Sequence, residues 1–139
     1  MHSPDVSRGY QLGYYQRTEG LRDLDLRRAK ARKIMHCLAE TKLPEPVGVA
    51  LDVGCSNGLV LEALEPVARC VAGLDIDGPA LYASPSFGSP KIALLQGDAM
   101  AFPFRSGTID LIVCAQVYEH VPDDTQLVAE MWRVLRAGG

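Results

Sequence analysis

Leu51-Asp-Val-Gly-Cys-Ser-Asn-Gly58 predicts the end of a buried strand and a tight loop bracketed by two glycines. Glycine adopts backbone angles that are closed to other residues, and it lets a ligand approach the main chain. A short helix is predicted at residues 59–64, and Ser56 or Asn57 is expected to cap it. Because many nucleotide-binding folds contain a strand, a glycine loop and a helix, this segment predicts a binding site without naming its ligand.

Strands and helices alternate on both sides of this segment. Apolar runs predict strands at residues 47–53, 70–74, 91–95 and 109–115, and helical periodicity predicts helices at residues 21–41, 79–82 and 124–136. The last helix has Asp123 and Asp124 at its start, and Gly138 is expected to be its C-cap. Such alternation implies right-handed crossovers and a parallel sheet.

Acidic residues stand at the predicted carboxyl ends of three strands, where parallel sheets bind their ligands. Asp52 ends the first strand, and Asp75, 23 positions later, stands where a ribose-binding carboxylate is expected. Asp98 follows the third strand and is suited to accept a hydrogen bond from an exocyclic amine. A single strand-end aspartate more often caps a helix or closes a turn. Three of them in register favour a shared binding site.

The motifs together resemble those of the class I S-adenosylmethionine-dependent methyltransferases, in particular the subgroup with the type 11 methyltransferase domain. The segments that carry the resemblance are Leu51-Asp-Val-Gly-Cys-Ser-Asn-Gly58, Gly73-Leu-Asp-Ile-Asp77, Gly97-Asp-Ala99, Ile109-Asp-Leu-Ile-Val-Cys114, Tyr118-Glu-His-Val-Pro-Asp123 and Val134-Leu-Arg-Ala-Gly-Gly139. The resemblance implies an α/β fold, a Rossmann-like three-layer sandwich with a mostly parallel sheet. About four of the family's seven strands are expected here, in the spatial order third, second, first, fourth.

The resemblance also implies a domain organisation. Residues 1–46 are expected to form an N-terminal helical segment or lid, with Tyr10, Tyr14 and Tyr15 over the cofactor or packed on the core. Residues 47–139 are expected to be a partial, C-terminally truncated S-adenosylmethionine-binding methyltransferase domain. A chain lacking the remaining strands is expected to be inactive as a methyltransferase and poorly soluble.

The implied cofactor is S-adenosyl-L-methionine, and the motifs assign its contacts. Asp52, Gly54 and Gly58 hold the methionine part in this assignment, and Asp75 binds the ribose hydroxyls. The other expected contacts are Ile76 on the adenine ring, Asp98 and the Ala99 amide at the adenine edge, and Cys55 and Gln116 elsewhere in the site. Serine occupies position 56, where the family usually has glycine.

Methyl transfer to an unidentified, small-molecule acceptor is the expected reaction. His120 is a candidate general base because its ordinary pKa suits proton removal near neutrality, although a role in ordering its loop is favoured. Two alternatives are a non-catalytic nucleotide- or cofactor-binding module and an NAD-dependent oxidoreductase. The second is disfavoured because positions 54, 56 and 59 are Gly, Ser and Leu instead of the G-x-G-x-x-G pattern.

Charge and cysteine usage limit the partners. The net charge of −3 gives no general attraction to nucleic acid or to anionic membranes. The basic run at residues 27–33 is interpreted as a solvated helix face. The four cysteines lack the spacing of a zinc site, so no metal is predicted; Cys70 and Cys114 are expected to be buried in strands. We expect a cytoplasmic protein of undetermined oligomeric state.

Overall fold

The computed structural model of the chain describes residues 24–43 and 46–139. It contains helices α1 (Leu24–Ala39), α2 (Leu59–Leu64), α3 (Gly78–Tyr82) and α4 (Asp124–Val134), a 3-10 helix (Tyr118–His120), and strands β1 (Val47–Val53), β2 (Ala68–Asp75), β3 (Ile92–Gln96) and β4 (Leu111–Cys114). The three tyrosines of the predicted lid lie outside the described residues. Among the described residues, no helix is both long and apolar enough to cross a membrane.

The four strands form one parallel sheet in the order β3-β2-β1-β4, which confirms the predicted order. Asp52 in β1 stands opposite Gly73 in β2 and Val113 in β4. Asp75 at the end of β2 stands opposite Gln96 in β3. In a parallel sheet with this register, the carboxyl ends of all four strands meet at one edge.

The sheet is the middle of three layers, and apolar side chains cover both of its faces. One face packs on α1 and α2 through a cluster that includes Ala50, Leu61 and Leu64, none of which has any exposed surface. The other face packs on α4 through a cluster that includes Leu51, Leu127 and Val134. The alternation of β1 side chains between the two clusters follows from the two-residue period of a strand.

The region from β4 to the end of α4 differs from the prediction. The strand predicted at residues 109–115 is shorter, and Ile109 instead forms an isolated parallel bridge with Leu135. Leu135, with an extended backbone, ends α4, so the prediction that Gly138 is the C-cap is wrong. The start of α4 is as predicted, because the Asp123 carboxylate accepts a hydrogen bond from the Gln126 amide.

Two further local predictions are wrong. The N-cap of α2 is Gly58, with a left-handed φ of 87° and no side-chain cap, so neither Ser56 nor Asn57 caps this helix. Cys70 is exposed although it lies within β2, where it and Arg69 precede the buried run from Val71 to Leu74. All four cysteines are free thiols.

Candidate functional site

One cavity of about 290 Å³ lies at the carboxyl edge of the sheet. Eight of the ten residues predicted for the site line it: Asp52, Gly54, Cys55, Asp75, Ile76, Ala99, Gln116 and His120. They come from the ends of β1, β2 and β4 and from the segment after β3. Concave sites of roughly this volume are where small molecules and cofactors bind.

Asp75 is held in place by two backbone amides. Its Oδ2 accepts a hydrogen bond from Ser56 N at 2.7 Å, and its Oδ1 accepts one from Asp77 N at 2.8 Å. Burial raises the pKa of Asp75, and the two amides oppose that rise. Each carboxylate oxygen has lone pairs beyond the one its amide uses. Asp75 therefore keeps acceptors for a pair of ligand hydroxyls in the cavity.

Asp52 is a buried carboxyl group with only 4% of its surface exposed. Burial raises its pKa to about 8, the Lys30 ammonium opposes this, and the Asp75 carboxylate adds to it. A carboxyl group in such surroundings ionises more readily when a positive charge enters the cavity. This wall of the cavity therefore favours a cationic ligand.

The loop between β1 and α2 brings the main chain to the cavity. Gly54 is exposed there with a left-handed φ of 72°, and a side chain at this position would collide with Val117. Ser56 has a left-handed φ of 49° although it is not glycine. Gly54 N and Cys55 N both donate to Leu74 O, which ties the loop to the end of β2.

Two predicted residues lie outside the cavity lining. Gly58 forms the start of α2 instead. Asp98 closes a turn in which its Oδ1 accepts a hydrogen bond from Met100 N at 2.9 Å. This is the turn role that a strand-end aspartate often has, and it positions Ala99, which does line the cavity.

Helix α1 contributes two cations that the sequence interpretation missed. Arg27 and Lys30, assigned to a solvated face, line the cavity instead. Arg27 donates to Ser56 Oγ at 3.2 Å and to Asn57 Oδ1 at 2.8 Å. The available signal was their spacing, since residues 27 and 30 continue the helical stripe formed by Ala31 and Ile34, which pack on the core.

Lys30 joins α1 to the segment after β4. Its Nζ donates to Ala115 O at 3.1 Å and to Gln116 Oε1 at 3.0 Å. Burial lowers the pKa of Lys30, and the Asp52 charge opposes that change. Gln116 itself has a left-handed φ of 61°.

The 3-10 helix after β4 forms the remaining wall. Glu119 and His120 line the cavity from it, and both are exposed. The His120 amide donates to Val117 O at 2.8 Å, which fixes the backbone of this turn. The His120 imidazole and the Glu119 carboxylate therefore lie at the β4 side of the cavity, and Asp75 lies at the β2 side.

Comparisons with known proteins agree with this arrangement. The sequence profile of the type 11 family, described as "Methyltransferase domain", matches residues 51–139. A "probable S-adenosylmethionine-dependent methyltransferase" of Mycolicibacterium smegmatis is 37% identical over 89 residues, which are 64% of this chain and 34% of that protein. The ubiquinone biosynthesis O-methyltransferase of Thiobacillus denitrificans is 32% identical over 107 residues, covering 72% of this chain and 45% of that protein.

A solved structure shows the same fold at lower sequence identity. Phosphoethanolamine N-methyltransferase 1 of Haemonchus contortus, in complex with phosphoethanolamine and S-adenosylhomocysteine, has a TM-score of 0.78 with 18% identity. The match covers 98% of this chain and 31% of that one. The chain thus spans less than half the length of these relatives. The family profile nevertheless covers most of the chain, and the chain belongs to the type 11 family of S-adenosylmethionine-dependent methyltransferases.

Proposed function

We propose that this domain binds S-adenosylmethionine in the cavity and positions it for methyl transfer to a small-molecule acceptor. The observation that carries the proposal is the meeting of Asp52 and Asp75, from neighbouring strands, at one cavity behind a glycine loop. The donor and acceptor groups present suit the cofactor. Asp75 accepts hydrogen bonds from the two ribose hydroxyls in this proposal. Gly54, which has no side chain, leaves the main chain accessible to the methionine part.

The adenine end of the cofactor lies between Ile76 and Ala99 in this proposal, since both line the cavity. Asp98 acts there by holding the turn that presents Ala99. Gly58 contributes indirectly: it ends the loop whose main chain faces the methionine part of the cofactor.

The charge of the cavity supports S-adenosylmethionine over NAD. Both ligands carry a ribose, so Asp75 does not separate them. Asp52 does, because its buried carboxyl group ionises beside the sulfonium of S-adenosylmethionine and then attracts it, whereas the pyrophosphate of NAD favours the protonated form and gains no such attraction.

The cofactor supplies a methyl group already activated by a positive sulfur, and the protein's contribution is position and exclusion of water. Asp75 and the glycine loop fix the cofactor on one side, and Val117 with the 3-10 helix borders the other. The ubiquinone biosynthesis O-methyltransferase relative supports a small-molecule acceptor with a hydroxyl group.

Cofactor binding is tested by replacing two aspartates at opposite strand ends. Asp75→Asn should weaken binding of S-adenosylmethionine and S-adenosylhomocysteine by about 10- to 100-fold, because charge-assisted hydrogen bonds to the ribose are lost. Asp110→Asn is the matched control: Asp110 also accepts a backbone amide, from Val49, but stands at the opposite end of β4. Titration calorimetry with both ligands and NAD measures the affinities. Tighter binding of NAD, or equal losses in the two folded variants, contradicts the proposal.

His120 is proposed to accept the proton of the acceptor hydroxyl. His120→Gln should lower the rate of methyl transfer by about 100-fold while leaving cofactor affinity within twofold. The control is His36→Gln, since His36 is exposed on α1 and outside the cavity lining. Transfer of labelled methyl to small hydroxylated acceptors, measured together with cofactor affinity, decides between this role and a loop-ordering one. An unchanged rate in His120→Gln excludes the general-base role, and a loss of both rate and cofactor affinity assigns the loop-ordering role. No transfer by the unaltered protein to any acceptor supports a binding module.

A further inference from the structure

Among the described residues, the only non-glycine residues with a left-handed backbone are Ser56 and Gln116. Both line the cavity, Ser56 after β1 and Gln116 after β4, and these two strands are neighbours in the sheet. For a residue with a Cβ atom this conformation is strained, and it persists only where the surroundings hold it. The two loops that border the cavity therefore need something to hold them.

The side chains of both residues accept hydrogen bonds from the same helix. Arg27 donates to Ser56 Oγ at 3.2 Å, and Lys30 donates to Gln116 Oε1 at 3.0 Å. Arg27 and Lys30 are three residues apart on α1, so they project from one face of the helix. Ala31, which is buried, and Ile34 fix that helix on the core.

We propose that Arg27 and Lys30 are positioning residues, which hold Ser56 and Gln116 in their left-handed conformations and so keep the cavity ready for its ligand. The connection to the ligand runs through Asp75. The Ser56 amide donates to Asp75 Oδ2 at 2.7 Å, which fixes the carboxylate assigned above to the ribose. A change at Arg27 reaches that carboxylate through Ser56. We call the hydrogen bonds from Arg27 to Ser56 and from Lys30 to Gln116 the clamp. The choice of ligand in the test rests on the proposed function, whereas the clamp itself does not.

A direct contact between Arg27 and the ligand is the competing explanation, because Arg27 also lines the cavity. The two explanations differ in what glycine at position 56 does. Glycine adopts the left-handed conformation without strain, so it has no need of Arg27 to hold it. If Arg27 acts through a direct ligand contact or through its hydrogen bond to Asn57, its loss weakens binding equally whether residue 56 is serine or glycine.

The experiment is a double-mutant cycle of Arg27→Met and Ser56→Gly, read by calorimetry with S-adenosylhomocysteine. Arg27→Met alone should weaken binding by about five- to tenfold, because the binding-competent loop becomes a minority conformation. In the Ser56→Gly background the same change should cost less than about twofold. Arg32→Met, which removes an exposed arginine from the same helix, is the control for charge. A loss that is equal in both backgrounds overturns the proposal.

The same four proteins give a readout that needs no ligand. In urea unfolding, Ser56→Gly should recover most of the midpoint lost by Arg27→Met, and additive midpoints overturn the clamp. If the unaltered protein bound neither S-adenosylmethionine nor S-adenosylhomocysteine, the proposed function would fail while this unfolding cycle still decided the clamp. Should Arg27→Met not fold, Arg27→Lys, which keeps the charge but shortens the reach, replaces it in the cycle.

Lys30 and Gln116 form the second pair of the clamp. Lys30→Met should weaken binding in the wild-type background and have a smaller effect when combined with Gln116→Gly. Because Lys30 also donates to Ala115 O, which glycine at 116 does not replace, recovery should be partial. Absence of any recovery overturns the role of Lys30.

Discussion

Asp52 is the residue at which folding and ligand binding oppose each other. Its carboxyl group is buried, and its pKa of about 8 lies far above the ordinary value near 4. Between these two pH values the folded chain holds a proton that the unfolded chain has released. The free energy of unfolding contributed by this group therefore falls as the pH rises from about 4 to about 8.

Asp52→Asn should stabilise the unliganded protein because asparagine does not ionise in the unfolded state. The gain in free energy of unfolding should be near zero at pH 4 and reach about 1–3 kcal/mol at pH 8. Urea unfolding at several pH values measures it. Asp110→Asn should instead lose stability, because Asp110 accepts the Val49 amide and pairs with Arg136 at 2.8 Å. A gain at Asp52 that is the same at every pH would show that its carboxyl group is not the cause.

At the scale of the elements, an ion pair within α4 connects the helix to the segment before β4 through hydrogen bonds to the backbone of that segment. Arg133 Nε donates to Glu130 Oε1 at 2.7 Å, and its two terminal nitrogens donate to the carbonyl oxygens of Phe102 and Phe104. Glu130 Oε2 in turn accepts the Phe102 amide at 2.7 Å. The Arg133 guanidinium holds the pKa of Glu130 below its usual range.

Glu130→Gln should lower the melting temperature by roughly 3–6 °C, because a neutral amide replaces a charged acceptor of three hydrogen bonds. Calorimetric melting above and below the titration of Glu130 measures the effect. The depressed pKa means that this stabilisation is present near neutrality and is lost as the pH falls through the folded pKa. Glu62→Gln, which neutralises an exposed carboxylate on α2, is the control. A variant that melts like the unaltered protein at pH 7 would show that the carbonyl contacts of Arg133 suffice.

The strands, and the convergence of Asp52 and Asp75 at one edge of the sheet, were predictable because apolar runs and motif spacing are local properties of the sequence. The strand order was predicted from the resemblance to the family. The roles of Arg27 and Lys30 were missed. Their spacing from Ala31 places them near the core-facing side of the helix, but the sequence does not show that a cavity lies beside them. The end of α4 was missed for a similar reason. Leu135 leaves the helix to pair with Ile109, a contact between residues 26 positions apart that no local cap signal encodes.

At the scale of the whole molecule, β4 is an edge of the described sheet. Along Leu111–Cys114 it pairs with β1, and no described strand pairs with its other side. The nearest structure there is the single bridge between Ile109 and Leu135. An uncovered strand edge with apolar side chains favours association between chains.

The 139-residue chain should therefore self-associate in a concentration-dependent manner. Light scattering after size-exclusion chromatography at several concentrations measures its mass. Ile112→Lys places a charge on this strand and should reduce association. Because Ile112 is half-buried and packs against the cluster on the α4 side, the comparison is made only if the variant melts at the same temperature as the unaltered chain. A monodisperse 139-residue monomer at high concentration would mean that the β4 edge is protected by residues outside the described ranges.

The Asp110–Arg136 pair lies at the opposite edge of the sheet from the cavity. Substitutions at these two edges share no hydrogen-bond partner, and their free energies are expected to add. Residues in the loops around the cavity can therefore be replaced without weakening the Asp110–Arg136 ion pair at the far edge. The cavity edge is therefore where substitutions that change ligand specificity should disturb the far edge of the sheet least.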